Sequence, residues 1–178
     1  MTAGRVYIRL ISRSPSILET PESDHFIEDF LRHFQLRSAE QTLSLWLLDE
    51  ASNVDVPTAV AAYTRRKQDH LRYLRIPEDL LHQAGLTVKK EPDIEAFRCI
   101  QNAHYEIPFD QAKLSALALS VQAKLLSDSA MLVTIRRTSI APHILELDKS
   151  CRNSVGSRQY ETEIVQAWAR DIVDAATK

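Results

Sequence analysis

The sequence predicts an α/β fold, with a mixed sheet of about four to six strands, helices packed against it and a C-terminal amphipathic helix. Segments with strand-like patterns alternate along the chain with segments of helical periodicity, as they do in proteins built from layers of helix and sheet. The 178 residues include only three scattered glycines and no repeat, so no flexible linker is indicated. We therefore expect a single α/β domain over residues 1–178.

The first strand is predicted at residues 5–12, where apolar and polar side chains alternate with a period of two. The even positions hold the apolar side chains of the buried face. The opposite face carries Tyr7 and Arg9, and we expect it to be half-exposed, which suits an edge strand or one with antiparallel neighbours.

A helix is predicted next, because phenylalanines recur at every fourth position over residues 26–34. Two residues could serve as its N-cap, Ser23 or Asp24. His25, Asp29 and His33 lie one turn apart on this helix, but its two histidines are about 12 Å apart along the axis, too far for one metal ion. We interpret these three residues as a solvated shoulder beside the core face.

Residues 42–49 are nearly continuous in apolar side chains, which is typical of a central strand buried on both faces. Asp49 and Glu50 end this strand, and carboxylates beyond the carboxyl end of a strand can hold Mg²⁺ or act as a general base. The simpler interpretation is that the strand ends in polar residues. Asp55 would then cap the following helix, with Pro57 in its first turn.

Residues 64–75 form the most basic stretch of the chain, with five basic side chains and one acidic one. If the helix that begins near Pro57 ends at about residue 68, Arg65 and Arg66 lie in its last turn, where the helix dipole stabilises cations. If the helix continues to Arg75, the arginines form one stripe suited to a nucleic acid or an acidic partner.

We favour a strand at residues 71–76, which have β-type composition and precede Pro77. In a strand, Arg72 and Arg75 point to opposite faces of the sheet, because they differ by an odd number of residues. The basic stretch would then be divided between two surfaces.

The second half of the chain continues the alternation of helices and strands. The predicted elements are a short helix after Pro77 that ends at a left-handed Gly85, short strands at residues 86–90 and 104–107, a helix after Asp110, a strand at residues 131–136 and an amphipathic helix at residues 160–175. The helix after Asp110 carries two apolar faces, Leu114/Leu117/Val121/Leu125 and Ala116/Leu119/Ala123/Leu126. We expect it to be buried between layers.

His104 and Glu106 would share one face of a strand, and a histidine beside a carboxylate could perform acid–base chemistry near neutral pH. A half-buried histidine that is hydrogen-bonded to the glutamate is the simpler interpretation. The enzymatic alternative is a metal-assisted hydrolase or nuclease in which Asp49 and Glu50 converge with His104 and Glu106 in one pocket.

Composition excludes several classes of protein. The hydrophobic fraction of 44% and the net charge of −2 are ordinary for a soluble protein, and no apolar run is long enough to span a membrane. The first residues lack the pattern of a secretory signal, so we expect a cytoplasmic location. Cys99 and Cys151 have no metal-binding spacing, and we expect them to be reduced thiols.

Motifs for nucleotide or metal chemistry are missing from the sequence. It contains no phosphate loop, no dinucleotide-binding glycine turn, no zinc-protease motif and no nucleophile elbow. We therefore expect neither a cofactor nor a metal, and no membrane partner.

The favoured hypothesis is a non-enzymatic protein–protein interaction module, a small cytoplasmic subunit or adaptor of a multi-component assembly. Tyrosine and arginine are enriched at interfaces. The residues expected to bind the partner protein are Tyr7, Arg9, Arg65, Arg66, Tyr73 and Arg75. A nucleic-acid-binding protein that uses residues 65–75 is the second alternative, after the hydrolase or nuclease. The identity of the partner and the oligomeric state do not follow from the sequence.

Overall fold

A computed structural model describes residues 4–11, 20–34, 42–48, 55–63, 70–94, 96 and 99–136. The strands are β1 (Val6–Leu10), β2 (Thr42–Leu48), β3 (His70–Pro77), β4 (Lys89–Lys90), β5 (His104–Pro108) and β6 (Leu132–Arg136). The helices are α1 (Phe26–His33), α2 (Val56–Tyr63), α3 (Glu78–Gln83) and α4 (Gln111–Ser127). Single turns of 3₁₀ helix lie at Gln101–Ala103 and Ser129–Met131.

The six strands form one sheet in the order β4-β5-β2-β1-β3-β6. The α/β class and the packing of helices on a sheet of four to six strands are confirmed. The prediction also allowed parallel neighbours, but all five pairings are antiparallel. Strand direction could not be read from the sequence, because a period of two looks the same in parallel and antiparallel strands.

One face of the sheet is covered by α1, α3 and α4. Leu45, Leu74 and Ile107 point into this side of the core. Phe26, Phe30 and Phe34 of the first helical segment meet them, with ring centroids 6.2 and 4.5 Å apart along the row. This is the larger of the two cores, and the buried side chains of α4 pack into it.

The other face is covered by α2 and by residues around Ala96 and Ile100. Ile8, Leu10 and Trp46 point into this second core. Because helices and loops cover the sheet on both sides, β2 is apolar almost throughout, as its sequence predicted.

Local signals place most helix ends correctly. Asp55 Oδ1 accepts a hydrogen bond from Thr58 N at 3.1 Å, so it caps α2 as predicted. Asp110 caps α4 by accepting from Lys113 N at 3.1 Å. At α1, however, the N-cap is His25, which makes no capping bond with its side chain, so the prediction of Ser23 or Asp24 was wrong. Ser23 Oγ instead accepts from His25 N in the preceding turn.

Several predicted features lie outside the described residues. These are the C-terminal helix, the strand end at Asp49 and Glu50, and the helix end with Arg65 and Arg66. In the described part of the chain, no helix combines the length and apolar character that crossing a membrane requires.

Candidate interaction surface on α4

Helix α4 presents one apolar face to the core and a second one to solvent. Five of its residues are buried in the larger core: Leu114, Leu117, Ala118, Val121 and Leu125. The second face was expected to be covered by another layer, and this was wrong. Leu119 is 57% exposed and Leu126 is 61% exposed, and Ala116 and Ala123 on the same face are exposed as well.

We call the exposed row Ala112, Ala116, Leu119, Ala123 and Leu126 the α4 stripe. Its members follow one another at spacings of four, three, four and three residues, which keeps them within an arc of about 80° on a helix. Phe109, which is 41% exposed, comes just before the helix, and the exposed Ala130 just after it. Three of the four large apolar side chains that are exposed among the described residues therefore belong to this one region.

The polar side chains that flank the α4 stripe have partners within the protein. The hydroxyls of Ser115, Ser120 and Ser127 donate to helix carbonyls within α4, at 2.9, 3.1 and 2.9 Å. Gln122 Nε2 donates to the carbonyl of Pro21 at 2.6 Å. Because these donors are already bonded within the protein, docking on the stripe need not cost them a hydrogen bond to water.

The charged side chains of α4 are also paired. The helix contains no acidic residue, and its two lysines each lie near a carboxylate at a helix end. Lys113 Nζ lies 3.8 Å from Asp110 Oδ2, and Lys124 Nζ lies 3.7 Å from Asp128 Oδ2. Neither lysine blocks the stripe with an uncompensated charge.

Tyr7, expected on a half-exposed face, is fully buried. Its hydroxyl donates to Glu78 Oε1 at 3.0 Å, and its ring packs edge-on against Tyr105, with centroids 5.2 Å apart. Burial and the hydrogen bond to Glu78 raise the pKa of Tyr7 to about 12. The expected half-exposed face was wrong here, because β1 lies inside the sheet and its odd positions face the helices.

Arg9 is half-buried, and its guanidinium connects three elements. Nη1 donates to the carbonyl of Ser44 at 2.8 Å, while Nε and Nη2 donate to the carbonyl of His33 at 3.3 and 3.2 Å. The charge also lies 5.5 Å from the centre of the Phe34 ring. These contacts hold the end of α1 on the sheet.

The C-terminal half of the basic stretch is divided as predicted. Residues 71–76 lie within β3, and alternation places Arg72 and Arg75 on opposite faces. Tyr73 is buried in the second core, and burial raises its pKa, with a smaller contribution from Asp55. Arg75 is half-buried on that same side. Where α2 ends lies outside the described residues.

His104 is buried, and its ring bonds the backbone carbonyl of Glu91 instead of the Glu106 carboxylate that the simpler interpretation predicted. Its Nδ1 donates to the carbonyl of Glu91 at 2.5 Å, which places a proton on that nitrogen because a carbonyl can only accept. The ring lies 4.8 Å from the indole of Trp46. Glu106 is half-buried and shares the face of β5 with His104, but their convergence with Asp49 and Glu50 lies outside the described residues.

The histidines of α1 do not form one solvated shoulder. His25 is exposed, but the His33 side chain is buried, and its Nε2 lies 3.6 Å from Asp29 Oδ2. Since His33 follows Phe26 and Phe30 at helical spacing, it belongs to the core face, so the prediction was wrong for this residue. Among the residues described, no group of three or more His, Cys, Asp or Glu side chains could hold a metal ion.

Cys99 is disulfide-bonded, so the expectation of a reduced thiol was wrong for this residue. The other cysteine of the sequence, Cys151, lies outside the described residues. The sequence could not have shown this bond, because a disulfide depends on geometry that the fold sets.

No protein-family model, curated protein or solved structure matches this chain.

Proposed function

We propose that this chain is a non-enzymatic protein-binding module that docks on another protein through the α4 stripe. The observation that carries the proposal is the row of exposed apolar side chains on α4, centred on Leu119 and Leu126. Exposed apolar side chains gathered in one region, with bonded polar groups along the sides, are typical of docking surfaces.

The energetics of the α4 stripe support this role. Complete burial of a leucine side chain contributes about 1.5 to 3 kcal/mol. Leu119 and Leu126 each keep more than half of their surface exposed, so docking would gain roughly 1 to 2 kcal/mol from each of them. These two side chains are therefore the anchors of the proposed interface, and the alanines of the stripe allow close approach of a partner helix.

The wider proposal is a small cytoplasmic subunit or adaptor of a multi-component assembly. The α4 stripe replaces Tyr7 and Arg9 as the proposed contact surface, because the fold uses both of these side chains internally. The disulfide at Cys99 is the observation that counts against a cytoplasmic location, since structural disulfides are rare in reducing compartments.

The test is capture of partners from native extract with the tagged full-length chain. In the double variant Leu119→Lys/Leu126→Lys, two charges interrupt the stripe without disturbing the core, so we expect at least a roughly tenfold loss of the captured partner. Ile94→Lys is the matched control, because Ile94 is 78% exposed and lies outside α4, and it should capture as the unmodified chain does.

Thermal unfolding of all three proteins shows whether the variants stay folded. If the folded double variant captures the partner as strongly as the unmodified chain does, docking through α4 is contradicted.

A further inference from the structure

We propose that the partner which covers the α4 stripe is the α4 stripe of a second copy of this chain, packed antiparallel about a two-fold axis at Leu119. This inference rests on the proposed function and names the occupant of the same surface. The order of large and small side chains along α4 supports this pairing.

The α4 stripe is complementary to itself when one copy is reversed. In an antiparallel helix pair, two residues face each other when their numbers add to a constant, here about 238. Leu119 then meets the partner's Leu119, and Leu126 meets the partner's Ala112. Ala116 lies beside the partner's Ala123.

Phe109 and Ala130 lie just outside the two ends of the helix, and both are exposed. Within the helix, Leu126 faces an alanine of the partner, and Leu119 faces its own copy at the axis. A two-fold interface requires such self-complementarity, because the same patch is used on both subunits.

A parallel arrangement fits the same side chains less well. It would place Leu126 on Leu126 and Ala112 on Ala112, whereas the antiparallel arrangement places these two residues opposite each other. The leucine layer would then hold the helices apart at the alanine layer and leave a gap, whereas a large residue opposite a small one fills the space. The antiparallel arrangement also opposes the two helix dipoles.

The charges of α4 permit this arrangement. In the same register, Lys113 of one copy approaches the partner's Lys124. Each of these lysines already has a carboxylate of its own chain within 4 Å, which offsets the repulsion. No carboxylate lies within α4, so none is buried by the contact.

The size of the surface predicts a weak dimer. A helix of 17 residues is about 25 Å long, and one face of it buries less than the roughly 1,200 Å² at which stable interfaces begin. We therefore expect a dimer that forms at high protein concentration and dissociates on dilution.

Sedimentation equilibrium of the full chain, from about 1 µM to about 1 mM, tests self-association. The average mass should rise from 20.3 kDa toward twice that value. Leu119→Lys places two charges against each other at the axis and should remain at the monomer mass. Ile94→Lys should behave as the unmodified chain does.

A mixing experiment tests the orientation. Ala112→Glu and Leu126→Lys should each weaken the dimer when alone. An equal mixture of the two variants should recover dimer, because only the antiparallel pair brings the new glutamate opposite the new lysine. If the mixture associates no better than either variant alone, the antiparallel arrangement is wrong.

The outcomes separate this inference from the proposed function. A chain that stays monomeric at about 1 mM, or a dimer that Leu119→Lys leaves intact, overturns self-pairing through α4. If that monomer still captures a protein in a manner that depends on Leu119 and Leu126, the docking function stands with a different occupant. If the chain neither forms a dimer nor captures a protein through Leu119 and Leu126, both proposals are wrong.

Discussion

At the scale of single residues, Tyr7 shows that a side chain expected at an interface can instead have a structural role inside the fold. The sequence places a tyrosine on the polar side of an alternating strand, where a partner could reach it. The fold gives it no exposed surface and directs its hydroxyl to Glu78, which also lies 3.7 Å from Arg5 Nη1. Glu78 starts α3, so this hydrogen bond connects β1 to the helix that follows β3.

The raised pKa of Tyr7 predicts a loss of stability at high pH. In the unfolded chain a tyrosine ionises near pH 10, whereas in the folded chain it stays neutral up to about pH 12. Between these values the unfolded state binds fewer protons, so the stability that Tyr7 contributes is complete below pH 10 and is lost as pH rises to 12.

Tyr7→Phe should therefore reduce stability by about 1 kcal/mol at neutral pH, through loss of the hydrogen bond, and should lessen the decline between pH 10 and 12. Urea unfolding of both proteins across this pH range measures the difference. If the stability of the two proteins declines equally, burial and the hydrogen bond to Glu78 do not raise the pKa of Tyr7.

At the scale of elements, short-range signals predicted some helix ends and missed the N-cap of α1. Asp55 and Gly85 each act on groups within a few residues of themselves, so their roles were predicted correctly from sequence. Gly85 has a φ of 72° after α3, in the left-handed region that other residues adopt only with strain.

Gly85→Ala isolates this backbone requirement. A Cβ at this position would meet only the Lys113 side chain, at 3.8 Å or more, so steric contact is not the obstacle. We expect a loss of about 1 kcal/mol from the positive φ alone, measured by urea unfolding. Gly4→Ala is the control, because nothing lies within 4 Å of its added Cβ, and it should be close to neutral. If Gly85→Ala leaves the free energy of unfolding unchanged, the turn accommodates alanine without strain.

At the scale of the whole molecule, the fold decides which apolar faces find a partner. α1 and α4 share one side of the sheet, and α2 covers the other, so both faces of the sheet are used. The second apolar face of α4 points outward, and no described element packs against it.

The disulfide predicts how Cys99 reacts. In protein taken from native extract and unfolded without reductant, the peptide that contains Cys99 should resist alkylation, and it should be labelled after reduction. Mass spectrometry of the labelled peptides gives the result. Labelling before reduction would show a free thiol, and it would remove the objection to a cytoplasmic location.

The sequence by itself determined the α/β class, most element positions and the opposed directions of Arg72 and Arg75, because periodicity and capping are local properties of the chain. Only the tertiary structure decided which polar residues are buried and which apolar ones are exposed. The fold buries Tyr7 and His33 and leaves Leu119 and Leu126 exposed. Periodicity identifies the residues that share a face, but only the packing of distant elements determines whether that face is covered.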